Sequence, residues 1–456
     1  MTAYRVLRGI AAAAAVTASV MLAASSAGAA PASPATAPYT ATQTATPSPT
    51  PPPIPDDPND PERAREYWLD GAKIRQAWSV TRGKGVKIAI IDTGIGKPPV
   101  IFDGAVAGGT DVSGVGSPDG RTPVGVRDPN HGSWVASLAA GRGNPDGTGM
   151  IGVAPEAELL SISLGFPGSA STVPFADQVV KAMKWAVDNG ADVINLSFTT
   201  NTLDWDESWD EAFLYAQEHD VVVIVAAGNR GSGTAMIGAP ATIPGVLTVG
   251  GVDQTGVAST GASTQGITIG ISAPSESLLG MSADGTLRSW DGTSGAAPIV
   301  AGVAALVRAA HPDLDAANVI NRLIRTAVKV PDMTRTPDPL YGFGLLDAEA
   351  AVTASLPTVS SNPMGDLKEW IRVYRRADAP EPSQPQPTST PVAVPPLPAV
   401  EQPAERGSPL LPTPESLRYG TLPLLALTVP GILIALGVTA AARRIRLERG
   451  RRTPNP

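Results

Sequence analysis

Six strand-length apolar runs limit what this chain can fold into: residues 86–91, 159–164, 193–196, 221–226, 247–252 and 267–273. Between and after them lie segments of helical length or spacing, at 135–140, 176–188, 209–219, 296–310 and 316–328. Strands alternating with helices bury such runs in a mostly parallel sheet covered by helices on both faces, so the expected class is α/β with three layers. In sheets of this kind ligands bind outside the carboxyl ends of the strands. The residues just after each run therefore carry the functional question.

The two ends behave differently from this centre. Arg5 and Arg8 precede an apolar segment at 10–24, and Ala27-Gly28-Ala29 supplies small residues for cleavage, so residues 1–29 read as a secretory signal peptide. Of the 46 prolines many crowd toward the ends. A Pro-rich extension is expected at 30–61, a folded domain at 62–355 and a Pro-rich linker at 356–421. Within the domain, the apolar spacing at 67–80 suits a short helix; in the linker region, 364–376 suits one more amphipathic helix. Residues 422–442 carry no charge. At about 1.5 Å per residue they span a ~30 Å hydrocarbon layer. The basic tail, 443–456, contains Arg443, Arg444, Arg446, Arg449, Arg451 and Arg452, which places the C-terminus in the cytoplasm and the folded domain outside. The net charge of -8 and the lack of a basic stripe argue against nucleic acid as a partner. With no cysteine, a disulfide scaffold, a thiolate nucleophile and a Cys-based zinc site are all excluded.

The chemistry-bearing residues stand at loop edges. Asp92 closes the first run, and a carboxylate there is costly to bury without a partner. His131, in Asn130-His131-Gly132-Ser133-Trp134, opens a helix after a Gly/Pro-rich loop, whereas His219 and His311 sit at helix ends where imidazoles meet terminal carbonyls. Asn229 ends a strand in Ala226-Ala227-Gly228-Asn229. Ser294, in Gly292-Thr293-Ser294-Gly295-Ala296-Ala297-Pro298, falls in the first turn of an apolar helix, where free N–H groups and the dipole favour negative charge. Singly, each has a structural explanation: a turn Asp or Asn, a turn His, an N-capping Ser. Together, the order Asp92, His131, Ser294 is the subtilisin order of the Ser-His-Asp triad.

The chain is accordingly similar to the subtilisin-like serine proteases. The likeness rests on Ile90-Ile91-Asp92-Thr93-Gly94-Ile95, on Asn130-His131-Gly132-Ser133-Trp134-Val135-Ala136, on Val193-Ile194-Asn195-Leu196-Ser197 and on the Asn229 and Ser294 segments. The resemblance implies a three-layer subtilisin-like fold, Ser294 as nucleophile, His131 as general base and acid, and Asp92 as the group that orients the imidazole. It also implies Asn229 as an oxyanion donor, and Ser197, Phe198 and Thr199 as residues that line the specificity pocket and pair with an extended peptide. In layout the chain resembles the mycosins, membrane-anchored subtilases of type VII secretion systems. These have an N-terminal extension that wraps the domain in place of a folded prodomain. The departures are the absent cysteines, Ser133-Trp134 in place of Thr and a small residue or His, and Phe198-Thr199 in place of paired small residues.

The resemblance thus implies a membrane-anchored serine endopeptidase that cleaves an exported protein through an acyl-enzyme, associated with a type VII secretion complex. No cofactor or metal is expected. The alternatives are a non-catalytic component that stabilises a secretion membrane complex, and an esterase using the same triad. Gly147-Thr148-Gly149-Met150-Ile151-Gly152 matches a dinucleotide fingerprint but follows a helix, not a strand. The acidic group Asp204, Asp206, Glu207, Asp210 and Glu211 lacks the glycine and distal Glu of an EF-hand loop.

Overall fold

The computed structural model describes residues 60–125, 128–375 and 422–450. The signal peptide, most of the N-terminal extension, most of the linker and the end of the tail lie outside these.

All six apolar runs are strands of one sheet: β1 (Lys87–Asp92), β3 (Glu158–Ser163), β4 (Val193–Leu196), β5 (Val222–Ala226), β6 (Leu247–Val252) and β7 (Ile269–Pro274). A seventh, β2 (Val106–Asp111), completes it at one edge. The order is β2-β3-β1-β4-β5-β6-β7 and every pairing is parallel. Asp92 ends β1, between β3 and β4, where the order of strand addition reverses. Such a switch point leaves a crevice at the carboxyl edge.

Period-2 alternation divides the sheet's side chains between two cores. Ile88 and Ile90 of β1 face a core built with α3 (His131–Ala140) and α6 (Thr293–Ala310), to which α7 (Ala316–Arg325) and α8 (Ala348–Thr353) add residues. Ala89 and Ile91 face a second core with α4 (Phe175–Asp188), α5 (Ser208–Glu218) and α9 (Leu367–Tyr374). The three-layer α/β expectation is met. Helix α6 has the length and apolarity of a membrane span, but 83% of that stretch is buried, so it is the domain's central helix.

Some boundaries differ from the sequence reading. The segment at 67–80 forms two short helices, α1 (Tyr67–Gly71) and α2 (Ile74–Ala77), split where Lys73 takes a left-handed φ of 53°. Helix α7 stops at Arg325, three residues early, because Val328 pairs with Leu345. A two-stranded antiparallel hairpin, β8 (Leu278–Met281) and β9 (Leu287–Trp290), precedes α6. The compact unit includes α9 (Leu367–Tyr374), beyond the expected boundary at 355, and Leu367 is fully buried in its core. In the C-terminal unit, residues Leu422–Gly450 form one helix, α10.

Candidate active site

Each candidate residue is placed by the end of a sheet strand or the start of a helix. Asp92 is fully buried, and its Oδ1 accepts a hydrogen bond from the Thr93 N–H at 2.7 Å. The Thr93 hydroxyl donates to the Pro129 carbonyl at 2.9 Å and accepts from the Gly132 N–H at 2.8 Å. This stitch fixes the N-terminus of α3 against the end of β1. It brings His131 Nδ1 to 2.9 Å from both Asp92 oxygens.

Ser294 lies in the first turn of α6. Pro298 has no N–H to offer the Ser294 carbonyl four residues earlier, and the Ser197 hydroxyl supplies that bond instead, at 2.9 Å. Asn195 Nδ2 in turn donates to the Ser197 hydroxyl at 2.9 Å. The Ser294 hydroxyl donates to the Ser197 carbonyl at 3.0 Å. Asn229 is held by its amide oxygen, which accepts from the Thr293 N–H at 2.8 Å and the Thr293 hydroxyl at 2.9 Å. Its Nδ2 points past Gly292, where a side chain could not fit: a methyl there would lie 2.9 Å from that nitrogen, on a backbone with φ of 145°. An amide N–H without an acceptor among the described residues, beside the first turn of a helix, is an arrangement that stabilises an anion.

A cleft of about 380 Å³ opens beside these groups, lined by Thr93, Asp128, His131, Ser197 and the loop from Phe166 to Ser169. The His131 side chain is 21% exposed. Burial lowers the affinity of this imidazole for its proton, but the charge and hydrogen bond of Asp92, with the charge of Asp128, outweigh it and hold His131 above the usual histidine range.

At the carboxyl edge of the sheet Asp92 is thus paired with His131, Ser197 with Ser294, and Asn229 with Thr293, while His131 and Ser197 share the cleft wall. Phe198 does not turn into the cleft. Its ring packs against Phe166 and Phe175, with centroids 5.8 and 5.4 Å away, in the core under the cleft wall. The Thr199 hydroxyl accepts the Asn201 N–H at 3.3 Å, within its own turn. Sequence reasoning does not find the 166–169 wall or Asp128 as cleft residues; both lie on loops without periodic pattern.

The other features have structural uses. His219 Nδ1 meets the Tyr215 carbonyl at 2.8 Å, as its position at a helix end implies. His311 instead reaches across to the Val352 carbonyl at 2.6 Å and so ties to α8. The glycine-rich loop at 147–152 is clasped by the segment before α1: the Gly149 N–H donates to Asp60 at 2.6 Å and the Ile151 N–H to Glu66 at 2.9 Å. Asp210 accepts from Arg375 and Trp205, and Glu211 pairs with Lys184.

The chain is similar to known proteins in sequence and in fold. Residues 83–344 match the model of the Subtilase family. The chain is 35% identical over 275 residues to subtilisin DY of Bacillus licheniformis, covering 59% of this chain and 92% of that protein. It is 34% identical over 343 residues to mycosin-4 of Mycobacterium tuberculosis, covering 64% of this chain and 71% of that protein. Among solved structures, the MycP3 protease from the type VII (ESX-3) secretion system is similar with a TM-score of 0.55 at 33% identity, over 67% of this chain and 90% of that one. MycP1 from Mycobacterium smegmatis is similar with a TM-score of 0.57 at 27% identity, over 69% and 90%.

Proposed function

This chain belongs to the subtilase family and is a subtilisin-like serine peptidase; from that premise we propose that Ser294, His131 and Asp92 are its catalytic triad and that it acts as a mycosin in type VII secretion. The observation that carries the assignment is the His131 Nδ1–Asp92 pair at 2.9 Å, at the sheet edge that also holds Ser294 and the amide of Asn229. In this mechanism the Ser294 hydroxyl leaves the Ser197 carbonyl and gives its proton to His131 Nε2 as the oxygen attacks a peptide carbonyl. Asp92 stabilises the imidazolium. The oxyanion is met by Asn229 Nδ2 and the Ser294 N–H. His131 then protonates the leaving amine, and water, deprotonated by the same imidazole, releases the acyl group.

Substrate enters the cleft between Asp128, the 166–169 loop and Ser197 as an extended segment that pairs by backbone along 197–199. The exported substrate and the secretion complex are inferred from the similarity to the mycosins. Membrane anchoring is inferred from α10: 29 residues at about 1.5 Å each exceed a ~30 Å hydrocarbon layer. Ile432, Leu433, Ile434, Leu436 and Val438 on it are 59–66% exposed, an apolar surface that lipid would cover.

The second reading, a non-catalytic stabiliser of a secretion complex, is favoured by one observation: the Ser294 hydroxyl bonds to Ser197 and not to His131. A fluorophosphonate probe decides between them. Wild-type protein should label and cleave peptide, and Ser294→Ala should do neither while melting at a similar temperature. A folded wild type that stays unlabelled supports the stabiliser.

A further inference from the structure

The hairpin β8–β9, which turns at Asp284-Gly285, delivers an aromatic ring to the imidazole. We propose that Trp290, backed by Trp134, is a positioning residue that holds His131 in register with Asp92. The inference rests on the reading of His131 as the general base.

Trp290 ends β9, four residues before Ser294. Its ring centroid lies 5.6 Å from that of His131, with planes at 74°. Trp134, one helical turn beyond His131 on α3, lies 5.5 Å from Trp290 and 6.4 Å from His131. Its Nε1 donates to the Ser282 hydroxyl at 2.9 Å, which ties α3 to the hairpin. Gly280 of β8 makes room for both rings. A methyl there would lie 2.6 Å from Trp134 Cβ and 2.8 Å from Trp290 Nε1. At its far end the Trp290 ring comes up against Gly295, where a methyl would lie 3.3 Å from Cη2. One indole is therefore wedged between the residue after the nucleophile and the base.

The base needs such a wedge. Asp92 fixes Nδ1, but Nε2 has no partner among the described residues, so packing is what opposes rotation of the ring about its anchored side. The Trp290 N–H is buried without an acceptor among the described residues, a cost that phenylalanine would avoid. What the site uses is thus the ring and not its polar handle.

The experiment uses the full chain in detergent and a fluorophosphonate, whose reaction with Ser294 separates the inactivation rate kinact from the binding constant KI without a known substrate. Proton NMR in parallel reads the low-field resonance of the His131–Asp92 hydrogen bond. Trp290→Leu should lower kinact by about 10- to 100-fold, as expected for a misplaced catalytic group, with KI within about twofold, and should broaden or abolish the resonance. Trp290→Phe should restore both. A kinact near wild type, or a change confined to KI, overturns the proposal. Should the Leu variant not fold, Gly280→Ala displaces both rings without deleting either; it should show the same fall in kinact, and unchanged kinact in that folded variant overturns the proposal equally. Wild-type protein that never labels strikes instead at the peptidase reading.

Discussion

His131 has two opposing influences on its proton, and their balance makes a pH prediction. Burial disfavours the imidazolium, while Asp92 and Asp128 favour it and prevail. As the proposed general base, His131 must be neutral to accept the Ser294 proton. Activity should therefore rise with pH through the His131 titration, with the acidic limb of kcat/KM centred above the ordinary histidine value of about 6.5. Asp92→Asn removes the stronger of the two raising influences and leaves burial in place, so the limb should move to lower pH. It also lets the ring adopt the wrong tautomer, for which a loss of about 10⁴ in kcat is the expected scale. An unmoved limb in that variant would mean that the 2.9 Å pair does not set the titration of the base.

At the level of elements, legibility follows the strength of the local pattern. Strands β1 and β3 to β7 are buried on both faces and therefore read as mostly apolar runs, interrupted only by small or hydrogen-bonding residues such as Ser161, Asn195 and Thr248. Strand β2, Val106-Ala107-Gly108-Gly109-Thr110-Asp111, is an edge strand with two glycines and no apolar run, so nothing local marks it. Strand β9 is largely exposed, and the hairpin's role is tertiary: it brings Trp290 to His131. The same logic explains the site. Asp92, His131, Asn229 and Ser294 are legible because parallel strands and helix starts bring their ends to one edge, whereas the reciprocal bonds of Ser197 and Ser294 depend on a proline four residues along α6. Helix α9 is legible as an amphipathic segment, but its membership of the core is not. Leu367 is its fully buried anchor, and Trp370 packs at 4.5 Å on Trp205, with Arg375 lying over both rings. Leu367→Ala should cost about 2–5 kcal/mol in denaturant unfolding, the range for large-to-small core changes. Because α9 lies on the face opposite α3 and α6, the fluorophosphonate rate of the folded fraction should hold.

For the molecule as a whole, the peptidase domain and α10 make separate demands on solvent. The domain builds its two cores and its site from its own residues. Helix α10 offers exposed Ile432, Leu433, Ile434, Leu436 and Val438, followed by Arg443 and Arg444. In water that apolar surface would drive association; in a bilayer it would be satisfied, and the positive-inside rule predicts the arginines on the cytoplasmic side. Activity and attachment should therefore separate. Removal of residues 422–456 should move the protein from a carbonate-resistant membrane fraction to the soluble one while Ser294 labels at the wild-type rate. In the intact protein, externally added protease should reach the domain but not the C-terminal arginines. Loss of labelling on release would show that the membrane, or something held there, completes the site. Retained attachment would place the anchor elsewhere in the chain.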